Sequence, residues 1–249
     1  MRKPNFLSET DATWELSRVF NTPLVVRRDI SAFPLTEFAT TAVLYRRIDR
    51  EFETLGSQQK WAWSVGCMLA LLGSEWCHNL AHTFVASRIG RPVDVIRVNL
   101  GMPLLIYFDT DDPRVTPGEH ILRAAGGPVF NLLTLLPLAL AKSRVNQETP
   151  IHFLMQLAFD TNLFLSTASL APLPPLDGGP LLKWSLVHSG KPVDEAERIV
   201  KKANSASAIL FSILAIFSYF RDKKLIAALL GLLGLSSLAI ASGWLEEAY

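Results

Sequence analysis

Five stretches without a charged residue divide the chain: 61–74, 124–141, 161–176, 203–220 and 225–245. The last is 21 residues long, and at a helical rise of ~1.5 Å per residue it covers a ~30 Å hydrocarbon layer. The others approach that length once a single charged residue at an end is admitted. The pattern predicts spanning helices over about 61–87, 121–141, 151–175, 203–220 and 225–245. Between them the period changes. TEFATTAVLYRRIDREFETL, residues 36–55, sets Phe38, Val43, Leu44, Ile48 and Phe52 roughly on one face and predicts a surface or interfacial helix. In RPVDVIRVNLGMPLLIYF, residues 91–108, Val93, Val95, Ile96, Val98 and Leu100 favour a strand, GMP a turn and LLIYF a second strand. A membrane-associated β-hairpin is expected there, with an edge that an extended segment can join by strand addition. DEAERIVKKA, residues 194–203, reads as a short amphipathic helix of its own.

These elements describe an all-α integral membrane protein of about five transmembrane helices. Residues 1–60 form a polar N-terminal region, 61–182 a membrane core, and 183–249 a polar linker with two further spans. Composition agrees. Hydrophobic residues make up 49% and charged ones only 19%, against ~25% in soluble domains. A net charge of +1 without a long basic run argues against nucleic acid as a partner. Cys67 and Cys77 make neither a disulfide framework nor a paired metal motif. The basic start, MRKPNFLSETDATWEL, has no apolar run behind it, so no cleavable signal is expected. The positive-inside rule places the N-terminal region in the cytosol, helped by Arg221, Lys223 and Lys224.

Ionisable residues inside membrane helices are costly and point to function. Here they are Glu75, His78, His82 and Asp160, with Asp177 just beyond the third run. At 100° per residue, with His78 at 0°, His82 falls at about 40°, Glu75 at about 60° and Asn79 at about 100°. Glu75, His78 and His82 therefore share one stripe. Two imidazoles at i and i+4 can converge on zinc with Zn–N distances of ~2.0–2.1 Å; core histidines bonded to neighbouring helices show the same spacing. A second signal is LAPLPPLDGG, residues 170–179. Its prolines must end the third helix, and Gly178 and Gly179 permit positive φ and close backbone approach, letting Asp177 turn back towards the bundle. With spans alternating in direction, His82 and Asp177 lie at the same membrane face. Asp160, seventeen residues earlier, is ~25 Å away along a helix and is no ligand of the same metal.

HNLAH (78–82), AAGGPVFN (124–131) and LAPLPPLDGG (170–179), in this order and with a hairpin between the first two, resemble the site-2 protease family of intramembrane zinc metalloproteases. The resemblance covers about 75–182. It implies a three-helix zinc-binding core, His78, His82 and Asp177 as ligands of Zn2+, and a membrane-embedded or membrane-adjacent polypeptide segment in the lipid bilayer as substrate. It also turns the metal-bearing helix ends towards the cytosol, opposite to the charge count.

Two departures from the family pattern bear on chemistry. Asn79 stands where the HExxH motif has its general base. Ser169 stands where the family has an asparagine, although Asn162 lies seven residues earlier. Asn131 and Ser169 are candidates to orient substrate or an oxyanion. Glu75 is a candidate replacement base or a partner of the histidines. An amide cannot take a proton at neutral pH, and a general base contributes ~10²–10⁴ in rate. Three functions follow: an intramembrane metalloendopeptidase, a zinc-binding pseudoprotease that holds membrane segments without cutting them, and a small membrane transporter using the same ionisable residues.

Overall fold

The computed structural model describes residues 12–221 and 224–242. In chain order the elements are β1 (Thr13–Val19), β2 (Thr22–Arg27), α1 (Leu35–Glu51), α2 (Ser57–Arg88), β3 (Val95–Asn99), β4 (Met102–Ile106), α3 (Pro117–Lys142), α4 (Pro150–Thr167), α5 (Gly178–His188), α6 (Val193–Phe220) and α7 (Lys224–Ala241). They form two compact units. One holds residues 12–108 and 126–168; the other holds 109–125 and the described residues from 169 onwards.

The protein is mostly helical but not all-α. The expected hairpin, β3–β4, is half of a four-stranded sheet in the order β1-β2-β3-β4. β1 and β2 pair antiparallel through a two-residue turn at Phe20 and Asn21, with φ of 49° and 67°. β2 then runs parallel to β3, Leu24 opposite Ile96. Val25, Val26, Val95, Ile96 and Ile106 are among its buried side chains. The first strand pair lies in the region read as polar. Its signal was a β-branched run after Asn21, but Phe20 is a poor residue for a left-handed turn position.

The β3–β4 turn is Leu100–Gly101, with φ of 53° and 96°, rather than GMP. Asn99 and Met102 close it as a hydrogen-bonded pair, so alternate residues Pro103 and Leu105 aim their backbone groups at the outer edge. Pro103 lacks only an N–H that would have pointed outwards, which is why proline fits this edge strand.

α1 keeps its predicted place and the Leu44, Ile48 and Phe52 part of its predicted face, but not Phe38 and Val43. Thr41, Leu44 and Ile48 are buried, whereas Phe38 and Val43 are 69% and 66% exposed. Val43 sits 100° and Phe38 about 120° from Leu44 around the helix. Leu44 and Ile48 pack with Cys67 of α2 and Phe153 of α4, flanked by Phe52, Leu71 and Leu154.

The apolar runs map onto α2, α3, α4, α6 and α7, with two changes. α4 stops at Thr167, not near 175, and gives way to a short 3-10 turn at Ala168–Leu170. Pro172 disfavours helical backbone at Ala171 and has no N–H to offer the carbonyl four residues back. The amphipathic segment 194–203 is no separate helix: it continues into the fourth apolar run as one element, α6, because no breaker separates them. Among the described residues α3 and α6 are long and apolar enough to cross a bilayer. They expose large apolar side chains, among them Leu133 and Leu136 on α3 and Ile209 and Phe220 on α6. Such surfaces suit lipid rather than water.

Candidate metal centre

α2 carries the polar stripe. His78 and His82 are 6% and 5% exposed, and their Nε2 atoms stand 3.1 Å apart with the rings near perpendicular, at 78°. Two nitrogens held ~2.05 Å from one tetrahedral zinc ion would lie about 3.3 Å apart. That spacing is near what one shared ion would need, and it is also that of a hydrogen bond between the two rings.

α3 makes room for the pair. A Cβ on Gly126 would come within 3.0 Å of the Ala81 carbonyl oxygen and His82 Cα. One on Gly127 would stand 2.3 Å from His82 Nε2 and 2.6 Å from His78 Cε1. The Gly-Gly step thus lets the backbone of α3 pass against the imidazoles. Gly127 N–H also points at His82 Nδ1, at 3.3 Å.

A chain of buried amides orients His78. Asn162 Nδ2 donates to the Ala158 carbonyl, 2.8 Å, and to Ser74 Oγ, 2.9 Å. A carbonyl can only accept, so this end fixes the direction of the whole chain. Asn162 Oδ1 then accepts from Asn131 Nδ2 at 2.6 Å. Asn131 Oδ1 accepts from His78 Nδ1 at 2.5 Å. With its proton on Nδ1, His78 turns a bare lone pair on Nε2 towards His82. Asn131 is 0% and Asn162 3% exposed. The relay ties α2, α3 and α4 together behind His78.

Both ends of the Asn131 amide are thus committed, one to His78 and one to Asn162, so its place is behind the ring. Asn162, rather than Ser169, supplies the asparagine of α4; Ser169 sits half-buried in the 3-10 turn beyond it. Ser74, which sequence reasoning passed over, had a readable signal: a hydroxyl in an apolar run, one turn before His78. Asn79 is half-buried, and its Nδ2 donates to the Glu75 carbonyl at 3.0 Å and to Glu75 Oε1 at 3.2 Å. The amide's donor side is thereby turned to Glu75. Asp160 is exposed and accepts from Gln156 Nε2 at 2.7 Å, a paired polar group.

In the other unit, Asp177 opens α5 from the N-cap position in helical conformation, yet its side chain makes no capping bond. Gly178 and Gly179 serve close approach alone: neither has positive φ. A Cβ on Gly178 would meet the Leu170 carbonyl oxygen at 2.1 Å, and one on Gly179 the Leu173 oxygen at 2.4 Å. The proline-rich turn folds tightly over the start of α5.

The structure resembles that of the site-2 protease from Methanocaldococcus jannaschii, with a TM-score of 0.54 over 90% of this chain and 94% of that one, at 15% sequence identity. The fold is that of a site-2 protease. In sequence, the chain is 31% identical over 123 residues to a provisionally named zinc metalloprotease of Synechocystis sp. (strain ATCC 27184 / PCC 6803 / Kazusa). That match takes in 49% of this chain and 32% of the cyanobacterial protein, so the chain spans about a third of its relative. No family model matches the sequence.

Proposed function

We propose that this chain is a multi-pass membrane protein of the site-2 protease type that holds one zinc ion through His78, His82 and Asp177. The observation that carries the reading is the imidazole pair, with Nε2 atoms 3.1 Å apart and His78 fixed from behind by Asn131. Asp177 supports it as the carboxylate whose oxygen lies within 4.8 Å of the two imidazole donors. α2, α3, α4, α6 and α7 are the five proposed spans. The partner is a polypeptide segment in or beside the bilayer, which can extend the sheet along β4.

When bound, zinc polarises a carbonyl and acidifies water. Within the chain, Asn131 and Asn162 keep the His78 ring in one tautomer, and Gly127 leaves the imidazoles their space. Asn79 occupies the base position with its N–H groups turned to Glu75, so Oδ1 is the atom left to face a reacting water. That oxygen can accept a hydrogen bond but cannot hold the proton. The architecture is that of a metalloendopeptidase whose hydrolytic step lacks its usual base. The Asn79–Glu75 tether favours a second reading, a pseudoprotease that binds membrane segments without cutting them.

Metal analysis of detergent-purified protein tests the site without a known substrate. About one zinc per chain is expected, lost in His82→Ala and in Asp177→Ala. Wild-type protein that holds no transition metal after zinc supplementation would defeat the reading.

A further inference from the structure

Lys183 is the largest fully buried side chain among the described residues, at 2% exposure. Its Nζ donates to Asp111 Oδ1 at 2.6 Å and to Glu197 Oε1 at 2.9 Å. Asp111 belongs to the segment before α3, and Glu197 to α6. Next to it, Trp184 lies flat against His120 at the start of α3, ring centroids 3.8 Å apart and planes 3° from parallel. The Lys183 ammonium also stands 5.2 Å from the Trp184 ring centroid. One short helix is thus gripped from three sides by two adjacent side chains.

α5 has 11 residues, too few to be stable alone. An apolar residue would pack it at lower cost, because a buried amine loses its hydration and repays that only when well paired. What an ion pair adds over an apolar contact is direction. Each carboxylate holds Nζ at hydrogen-bond distance, and the two come from different elements. Asp177 sits six residues before Lys183, ~9 Å along the same axis.

We infer that Lys183 is a positioning residue: its paired ion bridges to Asp111 and Glu197 set the axial position and rotation of α5, and so the place of the Asp177 carboxylate. This rests on the zinc site proposed above.

The test measures three quantities on the full chain in detergent: zinc affinity by chelator competition, unfolding temperature, and amide hydrogen exchange over 173–182 in metal-free protein. Lys183→Met is expected to weaken zinc ~10-fold or more, in the range seen when residues supporting metal ligands are lost, and to raise exchange over 173–182. Because this variant strands two carboxylates, Lys183→Met/Asp111→Asn/Glu197→Gln is measured beside it. That variant should recover the unfolding temperature while zinc affinity and local exchange stay impaired. Recovery of all three would make the network merely structural and overturn the inference, as would unchanged exchange in Lys183→Met. If wild-type protein holds no zinc, the metal reading falls, and exchange alone decides the role of Lys183.

Discussion

Asn79→Glu puts a carboxylate where the site-2 protease pattern has its base, and the structure sets the size of the effect. A general base is worth ~10²–10⁴ in rate, or about 3–5.5 kcal/mol of barrier. Against this stands what Asn79 now does. Its amide donates to the Glu75 carbonyl and to Glu75 Oε1, at 3.0 and 3.2 Å. Both bonds vanish, and two carboxylates face each other one helical turn apart. At ~4.5 Å and an effective dielectric of ~20 the repulsion is about 4 kcal/mol. Both residues are half-buried, so water and side-chain rotation reduce it to about 1 kcal/mol. The single variant should therefore cleave a generic transmembrane-segment substrate ~10²-fold faster than wild type. Adding Glu75→Gln replaces the repulsion by an amide donor to the new carboxylate, and should raise the rate several-fold further. Gel-based cleavage in proteoliposomes, with zinc content matched, reads all four proteins. If Glu75 were already the working base, the pattern would invert: wild type active, Glu75→Gln inactive, Asn79→Glu nearly neutral. If every variant is inert while loaded with zinc, the missing base is not the obstacle and the pseudoprotease reading replaces the enzyme.

Gly127→Ala should abolish zinc binding, because its Cβ would stand 2.3 Å from His82 Nε2. Gly118→Ala, with nothing within 4 Å, should leave zinc content at the wild-type level; equal metal in both would show that the imidazoles have room to move. Asn131→Leu removes the acceptor of His78 Nδ1 and leaves a buried N–H unpaired, a loss of about 1–3 kcal/mol. Chelator competition should show zinc bound ~10–100-fold more weakly, and an unchanged affinity would remove the relay from the account. Leu105→Pro deletes a backbone N–H aimed at the open edge of β4 while sparing the ladder to β3. Photo-cross-linking of a bound client should fall with zinc unchanged, and cross-links confined to α6 and α7 would exclude strand addition.

How much of this could be read beforehand depended on whether the signal was local. The helix stripe of Glu75, His78 and His82 follows from 100° per residue and was legible; the prolines at 172–175 announced a stop, but not that it comes as early as Thr167. The face of α1 was legible only in part, because choosing between Phe38 and Leu44 needs to know that Cys67 and Phe153 lie opposite. The strands β1 and β2 escaped because β3, which pairs with β2 and joins the hairpin to the sheet, stands some seventy residues away, and their turn uses Phe20 in a position that normally selects glycine or asparagine. The relay through Asn162 was the hardest to see. Each of its members is an ordinary buried amide, and only their order in space gives His78 a fixed tautomer. This bears on Asn79 as well. A chain that had discarded the metal along with the base would gain by replacing Asn131 and Asn162 with apolar residues, since buried amides cost free energy unless each is satisfied. Here every link of the relay is satisfied and ends on His78 Nδ1, opposite the nitrogen that would face zinc. The side chains proposed to present the metal are intact where the one proposed to use it is changed, so loss of zinc and loss of hydrolysis are separate questions, to be measured separately.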